Sequence, residues 1–233
     1  DPWVDDIVSE CYDSFEVAMA GGKAGRAGNT IRAIQLLNKA ITLDPLDHNA
    51  YNHLAELYVE QGDLNKARKT YENCIKTLPT FDRGWAGLIS VEMKSGKQSR
   101  ASELIDQAIA KCPESYVINN YKGEALINEN RLNEAIPYFE TTIRLVPNNA
   151  VGFNYLARIY LKMGENRKAL EQLKKALKAE PSNPLSLELI TIFYILAGDP
   201  AQASRYLQRA INSPRVSEKA ISQMQAMYTN KFR

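Results

Sequence analysis

An all-α fold of stacked helical hairpins is predicted by three periodic series in this chain of 233 residues. Prolines stand at 45, 79, 113, 147 and 181, each 34 residues after the last, which marks an internal repeat. A second series, Gly28, Gly62, Gly96, Asn130, Gly164 and Gly198, departs from Gly only once, to Asn, the other residue that tolerates a left-handed backbone. The third consists of small residues: Ala33, Ala67, Ala101, Ala135, Ala169 and Ala203, followed seven residues later by Ala40, Cys74, Ala108, Thr142, Ala176 and Ala210. Small side chains recurring at fixed places are what closely crossing helices require, because nothing larger fits at the contact.

Between these markers the apolar residues follow helical spacing. Tyr51, Leu54, Ala55 and Tyr58 form one stripe, and Ala67, Tyr71, Cys74, Ile75 and Leu78 a second after Gly62. Each repeat therefore reads as two antiparallel helices of roughly 13 residues joined at the Gly position. The proline ends the second helix, since its ring removes a donor and disfavours helix in the residue before it. The expected order is an acidic extension over 1–13, repeats at 14–47, 48–81, 82–115, 116–149, 150–183 and 184–217, and a capping helix over 218–233.

The first repeat has Val17, Gly21 and Ala24 at its first-helix positions, and its GGKAGRAG run is poor helix material. A weak first helix and a well-formed second, Thr30 to Leu43, are expected there. Asp47, Ser115, Asn149, Asn183 and Ser217 precede first helices and are suited to accept from free amides. Phe81 interrupts that series, with Asp82 as the expected substitute. In the third repeat Ala86, Gly87 and Ser90 lack bulk and predict a notch for a partner side chain. The fourth has Asn119 and Lys122 where bulk is usual, so its first helix is expected to pack loosely, with the Lys122 stem along the surface. Pro214 comes one residue early in the sixth and predicts a shortened second helix. After Ser217, Ile221, Met224 and Tyr228 recur at i, i+3 and i+7 with Gln223, Gln225 and Asn230 among them, the pattern of a helix that covers an open end.

Lys and Arg total 29 against 27 Asp and Glu, a balance that points to neither nucleic acid nor an anionic membrane. The ends differ: residues 1–22 carry acids without Lys or Arg, and residues 199–233 carry six bases against Asp199 and Glu218, a polarity that suits head-to-tail self-association or, more plainly, two solvated ends. Cys11, Cys74 and Cys112 are far apart and without CxxC spacing, so neither a disulfide framework nor a thiolate zinc site is indicated. His48 and His53 fall on different faces of a helix and do not make a metal site. No nucleophile, base and orienting group share a signature, and neither catalysis nor a cofactor is expected. The longest apolar run, Leu189 to Ala197, is about half of the ~20 residues a spanning helix needs. A soluble chain without signal peptide is expected. Its DPWV opening, lacking Met, suits a processed chain or the recognition arm of a larger multidomain enzyme.

A two-helix unit of this length, with an aromatic residue or Leu at position 4, Leu at 7, a small residue at 8, Tyr at 11, Gly at 15, Ala at 20 and Pro at 32, resembles the tetratricopeptide repeat. The second and fifth repeats carry the resemblance most fully, through Tyr51, Leu54, Ala55, Tyr58, Gly62, Ala67, Tyr71 and Pro79, and through Phe153, Leu156, Ala157, Tyr160, Gly164, Ala169, Leu173 and Pro181. The resemblance implies a right-handed superhelical solenoid whose first helices line a concave groove that takes a peptide or protein, hence a non-catalytic interaction module or scaffold. Some members of the family clamp a partner's terminal carboxylate with Lys at position 5 and Asn at position 9. Here position 5 reads Ala18, Asn52, Ala86, Asn120, Asn154 and Glu188, and position 9 reads Gly22, Glu56, Ser90, Glu124, Arg158 and Ile192. That clamp is absent.

Three repeats instead place Asn beside a ring at the groove: Asn52 with His53, Asn120 with Tyr121, and Asn154 with Tyr155. A primary amide donates to and accepts from a peptide backbone, and the ring adds apolar area at low entropic cost. With Glu56, Glu124 and Arg158 at position 9 of the same repeats, these form the expected peptide-binding set. Leu185, Ile192, Ile195 and Leu196 occupy groove-facing positions of the sixth repeat and are expected to form an apolar docking patch for a partner or a second copy.

Overall fold

Six backbone positions divide the chain into hairpins. Gly28, Gly62, Gly96, Gly164 and Gly198 have φ between 72° and 79°, and Asn130 has φ 60°. A Cβ added at any of those five glycines meets nothing within 4 Å, so the requirement is conformational and not steric crowding by neighbours. Replacing Gly62 with Ala is expected to cost about 1–2 kcal/mol in denaturant unfolding, and replacing it with Asn distinctly less, because Asn130 already fills the same turn. Equal costs for Ala and Asn count against this account of the turns.

The computed structural model describes residues 13–232. The elements found there are helices: α1 Ser14–Arg26, α2 Thr30–Leu43, α3 His48–Glu60, α4 Leu64–Thr77, α5 Asp82–Lys94, α6 Gln98–Lys111, α7 Tyr116–Asn128, α8 Leu132–Leu145, α9 Val151–Lys162, α10 Asn166–Ala179, α11 Pro184–Ala197, α12 Pro200–Ile211 and α13 Glu218–Phe232. The chain forms two compact bodies, Asp1–Ile118 and Asn119–Arg233. Of the acidic extension only Asp13 lies among the described residues, and its carboxylate accepts from the Phe15 amide at the start of α1.

In the first body α1 pairs with α2, α3 with α4 and α5 with α6. Val17, Ala18, Ala33, Leu36, Leu37, Ala40 and Leu54 make one buried cluster. The structure corrects the expectation of a weak first helix, since α1 runs on through Gly21, Gly22 and Gly25 to Arg26. A Cβ on Gly21 would lie 2.7 Å from Leu37 Cγ, so the low helix propensity is offset by close approach of α1 to α2. Asp47 caps α3, accepting from the Asn49 and Ala50 amides. The expected cap at Asp82 is also corrected: α5 has no side-chain cap, and the Asp82 carboxylate accepts from the Ser115 hydroxyl at 2.7 Å, while Ser115 Oγ accepts from the Ile118 amide. Between α4 and α5 Arg68 donates to Glu92, whose side chain is 2% exposed.

In the second body Leu126, Ile127, Ala135, Phe139, Leu156 and Ile159 form one cluster. Phe139 is wholly buried and lies over Gly123, where an added Cβ would meet its ring at 2.4 Å. With Asn119 buried as well, α7 is closely packed against α8, which corrects the expectation of a loose helix. A second cluster holds Leu173, Leu187, Ile190, Leu207 and Met224. α12 ends at Ile211 and has 12 residues where α8 and α10 have 14, as the early Pro214 predicts. α13 closes this body: Met224 is fully buried, with Ile221 and Tyr228 packed against the same cluster.

Candidate functional site

On the first-helix side of the first body two hollows lie next to each other. One, of about 250 Å³, is bounded by Gly21, Gly22 and Arg26 on α1 and by His53, Glu56 and Glu60 on α3. The other, of about 340 Å³, is bounded by the same Glu56 and Glu60, by Tyr71 on α4, and by Gly87, Ser90 and Lys94 on α5. The acidic side chains thus form a shared wall. The hollows exist because their floors lack side chains: a Cβ on Gly22 would come within 3.5 Å of the His53 ring, and one on Gly87 within 2.2 Å of Tyr71 Cζ. The notch expected at Gly87 is therefore partly filled by the Tyr71 ring, and what remains is the space beside Ser90.

Three of the expected residues meet on α3. Asn52 Nδ2 donates to Glu56 Oε1 at 2.9 Å, and His53 Nδ1 stands 3.7 Å from Glu56 Oε2. The His53 imidazole close by, aided by the Asn52 hydrogen bond, holds the Glu56 carboxyl below the usual carboxylate range despite partial burial. Glu56 is consequently an exposed anion held in place from both sides.

In the second body the expected residues gather differently. The Tyr155 hydroxyl donates to Glu124, the Tyr155 ring stacks on Phe139 at 4.5 Å, and the Arg158 guanidinium lies over it at 5.5 Å. Burial first, then the Glu124 contact, push the Tyr155 hydroxyl above its ordinary range, so it stays a proton donor. Asn120 Oδ1 accepts from Thr142 at 2.8 Å, which ties that amide to α8, and Tyr121 is half-buried beside it in sequence.

Asn154 requires a correction. It is 1% exposed, donating to Asn183 Oδ1 at 3.2 Å and accepting from Ser186 at 2.8 Å, so its amide joins α9 to the start of α11 and does not face a partner. The apolar patch is corrected too. Leu185 and Leu196 are exposed, but Ile192 is half-buried against the core and Ile195 is buried. Leu185, Ile192 and Leu196 recur at i, i+7 and i+11 along one face, whereas Ile195 lies three residues from Ile192 and is rotated off it. Arg26, Glu60 and Lys94 were missed by the sequence reading. The glycine pair Gly21 and Gly22, at positions 8 and 9 of its repeat, was the signal that an open floor lies there.

Among the described residues no group of three or more His, Cys, Asp or Glu is placed to hold a metal ion, and no helix is long and apolar enough to cross a membrane. Burial raises the Cys74 thiol to about 11, which leaves it protonated and inert at neutral pH.

The hairpin geometry has counterparts among known proteins. A family model described as suppressor of forked protein (Suf) matches residues 32–122, and one described as tetratricopeptide repeat matches residues 126–191. The tetratricopeptide-repeat match thus falls within the second body, and the hairpin fold of the whole chain is one that solved structures share. Similar structures include a chain of the APC/C hetero-tetramer Cut9–Hcn1, at TM-score 0.72 and 17% identity over 95% of this chain and 43% of that one. The chain thus spans less than half of that relative. PilF of Pseudomonas aeruginosa has TM-score 0.68 and 20% identity over 91% of this chain and 98% of its own. YrrB, described as a TPR protein with an unusual peptide-binding site, has TM-score 0.55 and 22% identity, covering 80% and 96%. At these identities the likeness is one of fold. TPR hairpins generally mediate protein–protein interaction, and this chain shares that architecture.

Proposed function

We propose that this chain is a non-catalytic protein-interaction module whose first-helix face takes an extended peptide segment with a basic residue at its centre. The observation that carries this reading is the pair of adjoining hollows separated by Glu56 and Glu60. An extended strand places successive same-side residues about 6–7 Å apart, so two side chains can enter the hollows while a Lys or Arg meets the acidic wall between them. Ser90 and Asn52, flanking that wall, supply polar contacts to the segment. In the second body Glu124, Tyr155 and Arg158 supply a further polar surface, with Asn120 and Tyr121 on α7 beside them. YrrB, with its peptide-binding site, is consistent with this use of the fold. Self-association through the α11 face is the weaker reading, because the expected patch reduces to Leu185 and Leu196 at its surface.

Selection of random peptides on the immobilised whole chain tests the proposal. Enrichment of segments with a central Lys or Arg is expected, together with a loss of at least about tenfold in affinity for them in Glu56→Lys with Glu60→Lys. Both glutamates are exposed, so the variant should retain its helical signal and melting temperature. Undiminished binding of the selected peptides by that variant sinks the proposal.

A further inference from the structure

A further hollow of the first body lies on the other side, between the second helices α2 and α4, with a volume of about 550 Å³. Its floor is apolar, made of Ile41 and of Tyr51, Leu54 and Tyr58 on α3. Its rim is a stripe along α4, where Lys66, Lys69, Asn73 and Lys76 recur at i, i+3, i+7 and i+10, so one face of the helix presents them all. Every charged residue lining the hollow is a lysine. Glu72, on the same helix, is outside the lining and acts on Arg68 instead.

The other polar groups of the rim are committed to their own helices. The Thr70 hydroxyl donates to the Lys66 carbonyl, that of Thr77 to the Asn73 carbonyl, and the Asn38 amide to the Ile34 carbonyl. Lys66 is held by Asp63 at 2.9 Å and lies 5.4 Å from the Tyr58 ring centroid. Lys69 and Lys76 are exposed, and among the described residues neither forms an ion pair. They stand seven residues apart, about 10 Å along the helix, which matches one three-residue turn of a polyproline II segment, about 9 Å long, whose side chains at i and i+3 share a face.

From this we infer a second docking surface, distinct from the first-helix face: the hollow between α2 and α4 takes an acidic peptide segment of a partner protein, two carboxylates about three residues apart meeting Lys69 and Lys76 and an aromatic or aliphatic side chain between them resting on Tyr58 and Ile41. Charge complementarity selects the acids, and the apolar floor between the lysines selects a peptide over a simple anion.

Fluorescence anisotropy with the whole chain tests it. The probe is a short fluorescein-labelled peptide with Glu at every third position and Trp between. Its binding is expected to weaken as salt rises, and to fall at least about tenfold in Lys69→Glu with Lys76→Glu. It should also fall when the Trp is replaced by Ser. The control is Lys174→Glu with Lys175→Glu on α10, an identical change of net charge on exposed residues of the second body, which is expected to leave the probe's affinity unchanged. Far-UV circular dichroism and melting temperature establish that both variants are folded. Equal weakening by the two pairs reduces the effect to net charge and overturns the inference. A single-stranded oligonucleotide that binds the chain as tightly as the probe overturns it too, as does a probe that binds without regard to Lys69 and Lys76.

Discussion

Glu92→Ala is expected to lower the stability of the first body by about 3–5 kcal/mol, the range for breaking a buried ion pair from one side. The Glu92 side chain is 2% exposed, and Arg68 is 16% exposed. Arg68 Nε donates to Glu92 Oε1 at 2.5 Å and Nη2 to Oε2 at 3.3 Å, while Nη2 also reaches Ser95 Oγ at 3.1 Å and Nη1 donates to Asn65 at 2.8 Å. The guanidinium therefore ties α4 to α5, the second helix of one hairpin to the first of the next. Truncating Glu92 leaves that cation with the neutral oxygens of Ser95 and Asn65 as its hydrogen-bond partners and only the more distant Glu72 as an anion, in a site largely closed to water. The partly exposed guanidinium places the cost toward the lower end of the range. Replacing both partners, Arg68→Met with Glu92→Leu, is expected to recover most of the loss, because no charge is then stranded. Urea midpoints of the single and double variants decide it. A double variant no better than Glu92→Ala means that the pair acts through packing of its stems and not through charge.

Phe139→Ala is expected to cost about 3–5 kcal/mol in the second body, the usual price of emptying a fully buried aromatic site. Phe139 is 0% exposed. Its ring fills the space above Gly123 and stacks against Tyr155, so removing it opens a cavity and takes away the support of the Glu124–Tyr155–Arg158 group. Gly123→Ala approaches the same contact from the other side and is expected to cost about 1–3 kcal/mol by overpacking. Combined with Phe139→Ala, the added methyl meets empty space, and the double variant should be less destabilised than the sum of the two singles. Strict additivity would show that Gly123 and Phe139 do not constrain each other.

Much of the fold was legible because its determinants are local. A left-handed turn needs Gly or Asn whatever surrounds it, and the one Asn of the series, Asn130, has the same positive φ as the glycines. Ala33, Ala67, Ala135, Ala169, Ala203 and Ala210 are all 0% exposed, since a repeating contact between helices imposes a repeating limit on size. The early Pro214 shortens α12 for an equally local reason, the proline ring's conflict with the preceding turn.

The candidate site was legible only in part. Asn52, His53 and Glu56 share one helix face, and spacing along a single helix suffices to bring them together. Asn154 repeats the same pattern yet is buried, because its amide meets Asn183 and Ser186, partners about thirty residues away. Ile195 turned inward, the glycines of α1 packed on Leu37, and the Tyr71 ring occupied much of the notch beside Gly87. The α2–α4 hollow, with three lysines over an apolar floor, had no counterpart in the sequence reading. What the sequence by itself determined was the hairpin, its turns, its small contacts and its closing helix, because each follows from backbone conformation and size within one repeat. What only the tertiary structure decided was which polar groups bind one another and which spaces stay open, because those depend on side chains brought together from different repeats.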